Sequence, residues 1–245
     1  MHPSIDPHTM PVSDRRPFSD FVAGAAFPCV GAKSALHKDR MRFVPAGVLG
    51  SEAASRRLVH GLHAFAQEFP QPGTVPVSLV ALFDAMPLDE LGFERLLWRQ
   101  LSDMHALDVS LGSSWDTSVS GDPAREEFSF SIGGRAFFVV GLHPGASRLA
   151  RRSPAPCLVF NFHDQFEALK ASGKYQTMQE AIRKRDVALQ GSVNPVLSRF
   201  GDASEARQYS GRPVEPDWNP PFAPEAPAPA TGGCPIAHGS PDKPP

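Results

Sequence analysis

The chain has 245 residues, 41% hydrophobic and 20% charged, with a formal net charge of -2. That length and apolar share suit one globular domain with its own core, and the near-neutral balance gives no long-range pull toward nucleic acid or an anionic membrane. Seventeen Phe against two Tyr and three Trp place most of the aromatic mass in rings without a polar handle, which fits either a dry core or an apolar cofactor slot.

Residues 1–16 read as a loose arm without the apolar stretch of a signal peptide. Residues 27–35, FPCVGAKSA, combine Pro, Gly and small side chains that let backbone approach something closely. The Gly spacing and the Gly-Lys-Ser/Thr ending of a phosphate loop are absent. Cys29 there is either a small hydrophobe buried in a tight turn or a working group. Residues 51–69 are predicted helical, because Leu58, Leu62, Phe65 and Phe69 form one stripe. Asp89 can cap a second helix whose Phe93, Leu96, Leu97, Leu101 and Met104 mark one face.

The period then changes. Phe128, Phe130 and Ile132 alternate, Gly133-Gly134 follows, and residues 136–142 are an almost continuous apolar run, a hairpin signature. Residues 157–162 form a third strand, expected inside the sheet. A helix is predicted from near Asp164, with a break at Ser172-Gly173 and another helix over 177–190. Residues 215–245 are Pro-rich and lack apolar periodicity, so a disordered or extended tail is expected beyond a core of 17–214. The fold class is α+β, a small, mainly antiparallel sheet packed with helices in a single domain; strand order does not follow from the pattern.

Candidate chemistry falls in four segments. The first holds Cys29. The second, 141–152, carries His143 at a strand end and then Arg148, Arg151 and Arg152, which suit carboxylate or phosphate binding but equally a solvated basic loop. The third, 160–167, places His163 at a strand-to-helix junction among aromatics, where burial keeps an imidazole neutral as a metal ligand must be. Asn161, Asp164 or Gln165 could orient its ring, and a helix cap or a satisfied core histidine is the bland alternative. The fourth, 194–212, is polar and loop-like, either a cover for a site or a surface wrap. His60 and His63 at i, i+3 lack a companion carboxylate at clear spacing and read as surface. Cys29, Cys157 and Cys234 have no CxxC spacing, which points to reduced thiols in a cytoplasmic compartment.

Four strings together, FPCVGAKSAL, FVVGLHPGASRLARR, LVFNFHDQFEALKASGKYQTMQEAIRKRD and LQGSVNPVLSRFGDASEARQYSGR, resemble the YqcI/YcgG family in content and order. The resemblance covers about residues 18–218. It implies a haem-dependent oxygenase that hydroxylates a nitrogen of an amino-acid-derived amine or guanidine, with haem b as cofactor, O2 as co-substrate and electrons from an external donor. Through that resemblance His163 is the first choice for the iron ligand, His143 the second with a distal catalytic role, and Cys29 the third. Arg148, Arg151 and Arg152 become candidates for haem propionates, and Glu167, Glu205 and Asp164 for recognition of a substrate nitrogen. One departure stands out: the family often has Cys-Pro-Phe near the end of the core, whereas Asn219-Pro220-Pro221-Phe222 stands here, with Cys234 and His238 further along. The resemblance is also compatible with a haem sensor or carrier without turnover. A haem-free binding protein is the remaining alternative. No nucleic acid or membrane partner is expected.

Overall fold

A five-stranded sheet forms the middle layer, in the order β1-β2-β5-β4-β3. The structure, a computed structural model, describes residues 12–194 and 204–224. β1 (Met41–Gly47) and β2 (Ser78–Phe83) run parallel, joined by a crossover through α3 (Glu52–Glu68). β5 (Cys157–Phe162) lies antiparallel between β2 and β4 (Arg135–Leu142), and β3 (Phe130–Ile132) closes the far edge against β4. The α+β class and the mainly antiparallel sheet agree with the sequence reading.

Local chemistry explains most boundaries. Ser51 caps α3 by accepting from the Ala54 N–H, and Asp89 caps α4 (Glu90–Ser110) by accepting from the Gly92 N–H. Gly133 and Gly134 take φ of 61° and 69°, the left-handed pair that a tight hairpin needs. Gly173, at φ 70°, separates α5 (His163–Ala171) from α6 (Lys174–Gln190). Two strands were not expected from the pattern. β1 contains Pro45, which a ladder accepts on an edge strand such as this one. β2 is a short apolar run, SLVALF, whose length and alternation alone do not separate it from a helix segment.

The pleat gives the sheet two unlike faces. Val44, Leu79, Ala81, Phe137, Val139, Leu158, Phe160 and Phe162 point toward α3 and α4 and fill the large core with Leu58, Leu62, Phe65, Phe93, Leu97 and Trp98. Each large apolar side chain buried there contributes roughly 1.5–3 kcal/mol. Met41, Phe43, Val80, Leu142 and Cys157 point the other way, toward α1 (Val12–Ala23) and α2 (Val30–His37). This second cluster is smaller, and α5 and α6 complete the layer over it. The helix of α1 includes residues 12–16, which composition assigns to a loose arm.

Composition also assigns 215–224 to a tail, whereas the structure packs this segment on α4. Phe222 is buried among Trp98, His105, Trp115, Phe128 and Phe130. Glu94 accepts from Arg212, from the Ser210 hydroxyl and from the Trp218 indole N–H. Two aromatic anchors and one buried carboxylate thus outweigh the Pro-rich composition. The rest of the expected tail, including Cys234 and His238, lies outside the described residues.

Gly141 shows how tightly the main face is packed. A Cβ there would sit 2.7 Å from a Phe93 ring carbon, 2.7 Å from the Tyr209 carbonyl oxygen and 2.8 Å from a Leu97 methyl. Gly141→Ala should therefore lower stability by about 1–3 kcal/mol, as overpacking does. Urea unfolding that shows no loss would contradict this packing.

Candidate functional site

The second sheet face does not fill. Between it and the helices above lies a cavity of about 280 Å³, close to the lower end of the roughly 300–1,000 Å³ usual for small-molecule sites. Its floor is Ser78, Phe138, Val140, Leu142, Val159 and Asn161 from the three central strands. Phe18 and Val22 of α1, Cys29 and the first turn of α2, and Gln165, Phe166 and Leu169 of α5 wall it. Tyr175, Met178, Ile182, Arg183 and Asp186 of α6 complete the enclosure. The lining is predominantly apolar, so the few polar groups mark its two ends.

One end is neutral. Ser78 donates its hydroxyl to Asn161 Oδ1 at 2.7 Å, and Asn161 Nδ2 reaches the Phe138 carbonyl at 3.4 Å. Gln165 is fully used in holding the loop before β2: Oε1 accepts from Val77 N, while Nε2 donates to the carbonyls of Gly73 and Val75. The other end is cationic. Arg151 closes a short 3-10 turn, Leu149–Arg151, and is buried against Gly141 and Gln208, donating to both carbonyls. Burial pulls its pKa down to about 10, partly offset by the neighbouring Cys29, Cys157 and Asp186. Asn161 lies four positions along β5 from Cys157, the neighbour of Arg151, which puts the two ends about 13 Å apart at ~3.3 Å per residue.

Cys29 lines the cavity. It is the N-cap of α2, its sulfur accepting from the Ala32 N–H at 3.4 Å. The segment read as a tight turn is thus a helix entry that fixes the sulfur in place. Burial raises the thiol pKa, while backbone N–H groups of Ala32 and Gly31 and the charge of Arg151 pull it back. Cys157, on the strand below, is pushed up to about 12 by burial. Both described cysteines are free thiols.

The remaining expected site residues lie elsewhere. His143 is buried with its ring stacked on Phe93 at 4.4 Å, and its Nδ1 has no hydrogen-bond partner. His163 opens α5 but is not part of the cavity wall. Burial lowers the pKa of both imidazoles, partly offset by nearby carboxylates, so both favour the neutral form. Arg148 is engaged by Asp186 at 2.6 Å and by Ser192. Arg152 is exposed, donating to the Ala146 carbonyl. Asp164 pairs with Arg135 at the surface, and Glu167 pairs with Lys170. His63 is bound to Asp108, whose other oxygen accepts from Gly133 N, a tie between α3, α4 and the hairpin; His60 is exposed. Residues 195–203 of the fourth segment lie outside the described residues. Among the described residues no group of three or more His, Cys, Asp or Glu could hold a metal ion by itself. No described helix is long and apolar enough to cross a membrane.

Against known proteins, the sequence pattern of the YqcI/YcgG family matches residues 18–223. The chain belongs to the YqcI/YcgG family. That match runs through Phe222, consistent with the packing of 215–224 onto the core. No curated protein and no solved structure matches the chain. The YqcI/YcgG strings that carry the resemblance converge on one place. FPCVGAK supplies Cys29, the strand-loop supplies Arg151, and LVFNFHDQF supplies Asn161 and Gln165. KYQTMQEAIRKRD adds the α6 wall, including Asp186, which sequence reasoning missed because a charged helix face gives it no pattern to stand out from.

Glu205, considered as a contact for a substrate nitrogen, is instead part of the core. Its carboxylate accepts from the Ser129 and Tyr209 hydroxyls, and burial raises its pKa to about 8. A folded-state pKa above the ordinary 4.5 means that its stabilising contribution is present below that value and is lost as pH rises through about 8. The stability difference between Glu205→Gln and the parent should therefore shift in favour of the variant between pH 5 and pH 8. Chemical denaturation at both pH values tests it, and a pH-independent difference would show that Glu205 is ionised in the core.

Proposed function

We propose that the cavity would hold haem b through the Cys29 sulfur, and that the protein hydroxylates a nitrogen of an amino-acid-derived amine or guanidine. O2 is the co-substrate, and electrons come from an external donor. The observation that carries this reading is the placement of Cys29: of the three candidate ligands, it is the one in the cavity wall. The donor chemistry fits the group. A thiolate is an established haem ligand, the walls are apolar, and a buried guanidinium stands at one end to balance negative charge. Family membership supports the choice of cofactor through the resemblance, while the fold by itself does not dictate an activity.

Haem, when bound, would supply the iron at which O2 is activated. The chain's own groups would do the rest. The capped first turn of α2 holds the Cys29 sulfur at a fixed point, so little motion is frozen out on ligation. The thiol is protonated in the cavity and would release that proton on binding iron, with the positive charge of Arg151 favouring the thiolate left behind. Phe138, Val140 and Val159 exclude water from the floor. Asn161 presents an amide within that floor, held by Ser78, where a substrate polar group can be oriented. The neutral state of the buried His143 and the half-buried His163 suits them to shape the fold around the site rather than to carry charge into it.

The test is haem uptake by purified protein, followed by consumption of O2 and reductant with a panel of amines and guanidines. Wild type should develop a Soret band. Cys29→Ala should lose it or shift it strongly, while His143→Ala and His163→Ala keep it if they remain folded. A normal spectrum in Cys29→Ala together with its loss in His163→Ala would return the ligand role to His163. Haem binding without turnover on any substrate would favour a sensor or carrier. Failure of wild type to take up haem would end the haem reading altogether.

A further inference from the structure

We propose that Arg151 anchors a ligand carboxylate, so that the cavity takes a molecule with an apolar body and an acidic group at one end. The case begins with charge. Arg151 is 8% exposed and lines the cavity. Two of its five N–H groups donate to the Gly141 and Gln208 carbonyls. Among the described residues no carboxylate forms an ion pair with it. Asp186, the acidic residue that shares the cavity wall, accepts through Oδ2 from Arg148 at 2.6 Å and from the Asn194 N–H at 2.9 Å, while its buried Oδ1 makes no hydrogen bond among the described residues. The nearby thiols of Cys29 and Cys157 are held in their neutral form by burial. With Arg148 and Asp186 paired, Arg151 is the fully buried cation of a mostly apolar lining, to which α6 adds the half-buried Arg183.

An uncompensated buried cation is unfavourable, and carbonyl dipoles offset only part of the lost hydration. A carboxylate would supply the missing charge and meet the guanidinium fork in its preferred geometry. The rest of the cavity selects the body of the ligand. Leu142, Val140, Val159 and Phe138 form an apolar floor, and the far end carries the neutral Ser78, Asn161 and Gln165. An acid group at Arg151 and an apolar or neutral body against the floor therefore match the lining. A haem propionate and the carboxylate of a free substrate share this chemistry, and the inference stands on the cavity whether or not haem is its occupant. A purely structural Arg151 would tie β4 to α7 (Ala206–Tyr209) through Gly141 and Gln208. That role would show in the melting temperature but would give no preference for an acid over its neutral analogue.

The experiment compares ligand pairs that differ only in the acid. Haem b and its dimethyl ester are titrated by absorbance, and 2-naphthoate and 2-naphthamide by calorimetry, into wild type, Arg151→Gln and Arg151→Lys. Wild type should favour the acid in at least one pair by about tenfold or more, the scale of a charge-assisted contact. Arg151→Gln should lose that preference, and Arg151→Lys should retain part of it. Preference confined to the haem pair assigns the anchor to a propionate; preference in the naphthalene pair assigns it to a free carboxylate. Loss of haem uptake with the naphthoate preference intact would sink the haem reading and leave this one standing. If Arg151→Gln does not fold, the wild-type preference and its reduction in Arg151→Lys carry the test. Equal binding of acid and neutral partner in wild type, a preference that survives in Arg151→Gln, or no binding of any of the four ligands would overturn the proposal.

Discussion

The guanidinium of Arg148 and the carboxylate of Asp186 meet at 2.6 Å where their side chains are 7% and 3% exposed. This contact ties α6, one wall of the cavity on the second face of the sheet, to the segment after β4. Asp186 is the one residue that α6 buries fully, so the helix is not held by an apolar stripe. It is held by polar ties to the segment that joins β4 to β5. Arg148 also donates to the Ser192 carbonyl and hydroxyl, Asp186 accepts from Asn194 N, and Gln190 brackets the turn by accepting from Leu149 N and donating to the Ser147 carbonyl. A helix fixed by interdigitated side chains would fill the space beneath it. One fixed at its C-terminal end by an ion pair can stand off the sheet and leave room. Removing one partner of such a pair leaves a buried charge and typically costs about 3–5 kcal/mol, so the cavity wall is anchored despite its thin apolar contact.

The same tie sets the charge of the site. Because Arg148 is spent on Asp186, the basic run that looks like a three-arginine clamp reduces to a single cation in the cavity, Arg151. Its two neighbours in the motif serve different ends: one holds a helix, and the other lies at the surface and fixes a turn. Cys29 stands near Arg151, held at the N-cap of α2, and the neutral Ser78–Asn161 pair closes the far end. A soft sulfur ligand, one buried positive charge and an apolar floor are the elements from which the proposed haem site and the carboxylate anchor are both drawn.

Much of the main core was legible in the sequence. The stripe ending at Phe65 and Phe69, the Asp89 cap, the Gly133-Gly134 hairpin and the run at 157–162 each carry a local pattern, and each became the expected element. β1 and β2 were not legible, since six or seven residues with a Pro or an unbroken apolar run give no decisive period. The cavity was legible only as segments. Cys29, Arg151 and Asn161 could be singled out from their surroundings, but nothing local shows that they share one space. His163 ranks first in the sequence because it follows an apolar strand and opens a helix, which places it rigidly, and His143 second because the Pro144-Gly145 loop after it looks adaptable; in the structure His163 lies outside the cavity wall. Rigid placement does not fix direction, however, and His143 is turned onto Phe93 within the main core. Asp186 and Phe222 were missed for opposite reasons, one hidden in a charged helix and the other in a Pro-rich stretch whose composition argues against packing.

The absorption spectrum of the reduced, haem-loaded protein with carbon monoxide tests the central claim most directly, because it distinguishes a thiolate from an imidazole as the side chain that holds the iron. With Cys29 on the iron, the Soret maximum should lie at the long wavelength characteristic of thiolate-ligated haem and should move when Cys29 is replaced by His. A short-wavelength, imidazole-type maximum in wild type that is unchanged in Cys29→Ala and lost in His163→Ala would contradict the account.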